Sequence, residues 1–130
     1  MRYQLERGLQ ELKEEISRLG GMVEESFDRT IIALREMDAD MARDIVAHDD
    51  EIDNVENNIE KQCMSLFALQ QPLAKDLRMI GSTLKMITDL ERIADQSADI
   101  SDLIIRLAKK PIKLNPEIFR MAEKARSMVG

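Results

Sequence analysis

The sequence predicts an all-α protein, an up-down three-helix bundle with the start of a fourth helix. Three observations carry this prediction. Apolar residues recur at steps of three and four along three long stretches. Glycine and proline are scarce, five and three in 130 residues. The apolar content is Leu, Ile, Met and Ala, with little Val or Thr and with Tyr3, Phe27, Phe67 and Phe119 as the aromatics, and 34% of residues are charged. No strand pattern competes.

The first segment carries Leu5, Leu9, Leu12, Ile16, Leu19, Val23, Phe27, Ile31 and Leu34. At about 1.5 Å per residue it is a rod on the order of 45 Å long. Gly20 and Gly21 interrupt it at about 1 kcal/mol each relative to alanine, yet the periodicity runs through them. They mark one helix, bent there or closely approached by a neighbour. A turn falls at Met37 to Asp40. The second segment carries Met41, Ile45, Ile52, Val55, Ile59, Cys63, Leu66 and Leu69, and stops near Gln70 or Gln71 because the residue before Pro72 is pushed out of the helical region. The third carries Leu77, Ile80, Leu84, Ile87, Leu90, Ile93, Ile100, Ile104 and Leu107. Lys109 and Lys110 suit its C-terminal dipole and Pro111 stops it. Asn115, Pro116 and Glu117 read as a new N-terminus, with Ile118, Met121, Ala125, Met128 and Val129 as its apolar side. Residues 1–110 are therefore expected to form the bundle. Residues 111–130 form a linker and the start of a fourth helix, either cut short or serving an assembly.

Composition excludes several functions. A net charge of −6 argues against nucleic acid as a partner. A single cysteine, Cys63, forms no intramolecular disulfide, which suits a reducing compartment, and it lies on the apolar stripe as a buried small residue. The N-terminus lacks a secretory apolar core and no run is long enough to span a membrane. A cytoplasmic protein without membrane insertion is expected. No nucleophile-base set and no phosphate-binding glycine loop is visible, so no enzyme is expected. The nine methionines mostly fall at apolar positions, as core residues.

The most telling side chains are acidic. Asp49, Asp53, Glu56 and Glu60 form one stripe on the second segment; Glu91, Asp95 and Asp99 form another on the third. Both lie at mirror-image distances from the Gln70–Pro72 turn, so the two rows can face each other across a groove. One exposed row costs only about 0.2–0.5 kcal/mol per like-charged pair. Two rows at about 4 Å cost roughly 4 kcal/mol per close pair at an effective dielectric near 20. Either the rows point apart into solvent or cations bridge them. An all-oxygen set suits hard or borderline cations: Mg, Ca, Mn or ferric iron. No Glu-x-x-His pair exists for a ferritin-type centre, and the one histidine, His48, is an auxiliary ligand or a packed side chain. Arg78, Lys85 and Arg92, seven apart, form a basic strip that either pairs with neighbouring acids or docks an acidic partner.

The residues Asp49-Asp-Glu-Ile-Asp53, Cys63, Gln70-Gln-Pro, Asp76-Leu-Arg, Leu84-Lys and Asp89-Leu-Glu-Arg-Ile-Ala-Asp95 together resemble the PhoU family of phosphate-transport regulators. The likeness runs through nearly the whole chain in order. It implies a PhoU-like, spectrin-like three-helix bundle, the first of two related bundles, with Ile118 to Val129 as a fourth helix. It implies iron or zinc clusters at Asp49, Asp53, Glu91 and Asp95. Alanine stands at 94 where the family usually has glycine, and Asp99 stands where asparagine is common, which adds a carboxylate to the metal set. The resemblance further implies a cytoplasmic negative regulator of the phosphate-starvation response. Such a protein is a homodimer or other homo-oligomer and an adaptor between the transporter ATPase PstB and the sensor histidine kinase PhoR. From the residues alone a metal-storage bundle and a plain helical interaction module stay open.

Overall fold

The computed structural model describes residues 2–68, 73–108 and 116–129. Among these are four helices and no strand: α1 Arg2–Glu36, α2 Ala39–Ala68, α3 Ala74–Leu107 and α4 Pro116–Val129. The first three are long amphipathic rods, each packed on the other two, and α4 packs on α1. The main core joins Leu5, Leu12, Leu19 and Val23 of α1 to Ile52, Ile59 and Cys63 of α2 and Ile80, Ile87 and Ala94 of α3. A smaller cluster around Ala33, Leu34, Ala42, Ile45 and Ile104 closes the other end. The readings at Leu69 to Pro72, at Lys109 to Pro111, at Asn115 and at the 110/111 boundary lie outside the described residues.

The α1–α2 turn is tighter than the four residues expected. Met37 adopts a left-handed φ of 52°. Its amide then reaches the Leu34 carbonyl at 3.4 Å, and the Asp38 amide reaches the Ala33 carbonyl at 2.9 Å. This closes the end of α1 in the manner that glycine usually serves. Asp38 then caps α2, its Oδ1 accepting the Met41 amide at 3.0 Å. At the start of α3 the Asp76 carboxylate accepts the Leu73 amide at 2.9 Å.

The stripe that α3 buries differs from a purely apolar reading. Thr83, Ser97 and Ser101 are buried alongside Ala94, whereas Leu77 is 40% exposed. Small residues let the rods approach. Thr83 and Ser97 donate back to the carbonyls of Met79 (3.0 Å) and Ile93 (3.1 Å), which removes most of the cost of burying a hydroxyl. Cys63 is buried as expected, and burial pushes its thiol pKa up. The methionines are less central than their positions suggested: Met64, Met86, Met121 and Met128 stand at the surface.

On α4 most of the expected apolar side does not face the bundle. Ile118, Met121, Ala125 and Met128 are exposed; Val129 is half-buried and, with the edge of Met128, lines a pocket against Ile16 of α1 and Ile93 of α3. The face toward α1 carries Phe119, which packs on the smaller cluster, and Arg126, which donates to Asp28 at 2.8 Å and also to Glu24. Arg35 of α1 reaches Glu123 at 3.1 Å and lies over the Phe119 ring. Charge pairing and one aromatic decide the orientation.

Helix α1 runs unbroken through Gly20 and Gly21, and no neighbour comes within 4 Å of a side chain added at either. The close approach occurs instead at Gly8, where an added Cβ would lie 2.5 Å from Leu66 Cδ2. A Gly20→Ala/Gly21→Ala double variant is therefore expected to be more stable by about 1–2 kcal/mol in urea unfolding. No gain there would show that the pair relieves strain in α1.

Candidate metal centre

The α2–α3 seam gathers the two acidic rows. Both helices are long, they run past each other as consecutive rods, and the heptad-like spacing keeps each row on one side. Carboxylate oxygens of Asp49, Asp53 and Asp95 all lie within 4.8 Å of one another, the first two half-buried and the third exposed. Further along the seam Glu91 meets Glu56 and Glu60. A protonated Glu56 donates to Glu91, and Glu91 when protonated donates to Glu60. Asp99 stands exposed at the outer end of the α3 row, close enough to act on Asp49.

Of the residues expected as ligands, Asp49, Asp53 and Asp95 thus form one group, Glu91 sits in the adjoining group, and Asp99 lies at the margin. Glu56 was legible as part of the row but not as its most buried member. It is 3% exposed, and its Oε1 has no hydrogen-bond partner. The apolar neighbours Ile52, Val55 and Ile59 of α2 are the signal in sequence, because they set Glu56 at the edge of the buried stripe.

None of these carboxylates forms an ion pair with Lys, Arg or His among the described residues; the ion pairs lie elsewhere. The consequence is electrostatic. Burial, then the charges of Glu91 and Asp53, pushes the Glu56 pKa from 4.5 to about 8. Burial, then Asp53 and Asp95, pushes Asp49 from 3.8 to about 6. Burial first and Asp95 next raise Asp53, and burial followed by Glu60 raises Glu91. Desolvation and like charges act in the same direction throughout.

His48 is not among them. Its ring Nδ1 donates to the Asp44 carbonyl one turn back on α2 at 2.8 Å, and on the side toward α1 it lines a cavity of about 170 Å³ with Met22, Ser26 and Arg29. Arg29 pairs with Asp44 at 2.6 Å. That hydrogen bond lowers the Asp44 pKa, and the Asp44 carbonyl raises that of His48. The basic strip Arg78, Lys85 and Arg92 is exposed and makes no ion pair among the described residues, so pairing with a neighbouring helix does not explain it.

An all-helical up-down bundle whose polar site is a carboxylate-lined seam between two antiparallel rods defines the class of this chain. A PhoU domain model matches residues 16–104. The chain is 40% identical over 126 residues to the phosphate-specific transport system accessory protein PhoU homolog of Clostridium acetobutylicum, covering 95% of this chain and 58% of that one. It is 37% identical over 123 residues to the protein of the same name from Aquifex aeolicus, covering 94% and 56%. The crystal structure of the phosphate transport system regulatory protein PhoU from Streptococcus pneumoniae matches with a TM-score of 0.87 at 30% identity, over 96% of this chain and 59% of that one. The chain belongs to the PhoU family. It spans a little under three-fifths of the length of these relatives. No helix among the described residues is long and apolar enough to cross a membrane.

The raised acids set the pH dependence of the metal-free protein. A carboxyl whose folded pKa exceeds its unfolded value holds extra protons in the folded state, so stability is full below the unfolded value and falls as pH rises through the folded one. For Glu56 and Asp49 the window runs from about pH 4 to pH 8. Thermal unfolding in chelator is expected to show a falling Tm across this window. Glu56→Gln should remove most of the slope and stabilise the protein at pH 8 by on the order of a few kcal/mol. A Tm that rises from pH 5 to pH 8 in the chelated wild type would contradict the burial of uncompensated acids.

Proposed function

We propose that this chain is the working bundle, or part of it, of a cytoplasmic regulator of phosphate transport and of the phosphate-starvation response. It acts without enzymatic chemistry, as a metal-binding adaptor between a phosphate ABC transporter and a sensor histidine kinase. The observation that supports this best is the seam itself: a PhoU-family bundle with carboxylate oxygens of Asp49, Asp53 and Asp95 within 4.8 Å of one another and Glu56 buried beside them with its Oε1 unpartnered. The names of the relatives supply the biological setting, as accessory proteins of the phosphate-specific transport system.

The donor set fits a cation. Three carboxylates within 4.8 Å of one another offer oxygen alone, which suits iron(III), manganese or magnesium, and zinc also accepts aspartate oxygens. Asp49, Asp53 and Asp95 would hold one ion, with Glu91, Glu56 and Glu60 as an adjoining group and Asp99 at the rim. A bound cation supplies the positive charge that this seam lacks, so the carboxylates can ionise without mutual repulsion. The two helices are then drawn together along their whole acidic stretch. The function proposed is conformational. A bundle so stiffened binds one state of a transporter or kinase better than the other and shifts its population by that difference. Assembly as a homodimer would double the contact.

Elemental analysis of the purified protein is expected to give near-stoichiometric iron, zinc or manganese, lost in an Asp53→Asn/Glu91→Gln variant that still folds. Metal absent from both proteins would remove the metal from the proposal. Charge reversal at Arg78, Lys85 and Arg92 is expected to weaken pull-down of the transporter ATPase PstB or the kinase PhoR while leaving the helical signal intact. Undiminished capture of both would exclude the strip as the contact.

A further inference from the structure

The rows that line the seam do not end where the carboxylates end. On α2 the row Asp49, Asp53, Glu56, Glu60 continues at helical steps into Met64 and Phe67. On α3 Glu91, Leu84 and Leu77 stand seven apart, and Leu73 is the extended residue just before the helix. Glu91 meets Glu56 and Glu60 across the seam, so the same faces carry Met64 and Phe67 toward Leu73 and Leu77 nearer the turn. These side chains are not covered: Met64 is 63% exposed, Phe67 39%, Leu73 52% and Leu77 40%. By helical phase the α2–α3 seam is thus flanked by exposed apolar side chains at one end and by carboxylates at the other.

Each end asks for something different. The acidic end lacks a positive charge, and the Glu56 oxygen that is buried without a partner marks where one is wanted. A metal ion answers that need but leaves the apolar end wet. Large exposed apolar patches rimmed by polar residues mark contact sites. From Leu77 to Glu91 the groove runs 14 residues, about 21 Å and so about four turns of a facing helix. A segment with apolar anchors followed by lysine or arginine matches both ends at once.

We infer that the α2–α3 groove docks a basic amphipathic helix of a partner protein. Its apolar anchors lie on Met64, Phe67, Leu73 and Leu77, and its lysine or arginine side chains sit among Asp53, Glu91 and Asp95. This rests on the reading of the seam as a cation site and deepens it. Metal and partner draw on the same oxygens, so loading one releases the other.

Fluorescence anisotropy on the full chain tests this with three labelled helical probes of about 18 residues. All share one leucine stripe at steps of three and four, with polar positions filled by Lys, Gln or Glu. In chelator the Lys–Leu probe is expected to bind at least about ten-fold tighter than the Glu–Leu probe, and saturating manganese(II) to weaken it by a similar factor. Phe67→Asn/Leu77→Asn changes only surface positions, with folding checked by circular dichroism. It should lose about ten-fold in Lys–Leu affinity and keep its manganese stoichiometry. Unchanged affinity in that variant would reduce the attraction to charge alone and overturn the docking site. A concentration-dependent dimer abolished by the same variant would make a second copy the occupant and also overturn it. Binding of the Lys–Leu probe that Phe67→Asn/Leu77→Asn weakens, by a wild type that takes up no manganese, iron or zinc, would sink the metal reading and leave the docking site standing.

Discussion

The constraint on which the rest depends is the burial of negative charge without a counterion. Glu56 sits almost fully inside the α2–α3 seam, with one oxygen unpartnered and with Glu91 and Asp53 as its electrostatic neighbours. A buried, uncompensated carboxylate is among the costlier features a small domain can carry. It is tolerated because apolar packing lies on both sides of it: the main cluster, with Leu19, Ile52, Ile59 and Ile87, and the smaller one, with Ile45 and Ile104. Without a cation the site keeps protons instead, with Glu56 near pH 8 and Asp49 near pH 6. Stability and site are therefore opposed in the bare protein and reconciled by whatever brings positive charge.

Rigidity follows from the same arrangement. The carboxylates stand on the middle turns of two helices of 30 and 34 residues, far from either end, where fraying does not reach. Helix positions hold a donor group more exactly than loops do. The neighbouring Ala94 and Ser97 are small and buried, and they let α3 lie close enough for its acids to meet those of α2.

Most of the fold was legible because it rests on periodicity. The three- and four-residue steps from Leu5 to Leu34 define α1 as found, glycines included. The acidic rows were legible too, since spacing alone puts Asp49 and Asp53, or Glu91 and Asp95, on one side of a rod. What spacing does not carry is rotation about the axis. Only packing shows that Glu56 is the acid turned inward, that His48 is turned toward α1, and that Leu77 is left outside while Ser97 and Ser101 are taken in. For α4 the hydrophobic pattern misled, because the partners Glu24 and Asp28 on α1 lie 102 and 98 residues away in sequence and capture Arg126 first.

That capture gives the molecule two grades of cohesion. The three long rods share an apolar interior that salt barely touches. The 14-residue α4 is attached mainly through half-exposed ion pairs and a single ring, and such pairs contribute little and weaken as ions crowd the surface. A helix of this length has little inclination to persist once released. Ionic strength is thus a dial on the outer layer alone: it sets whether Glu24 and Asp28 are covered or bare, and leaves the inner assembly as it was.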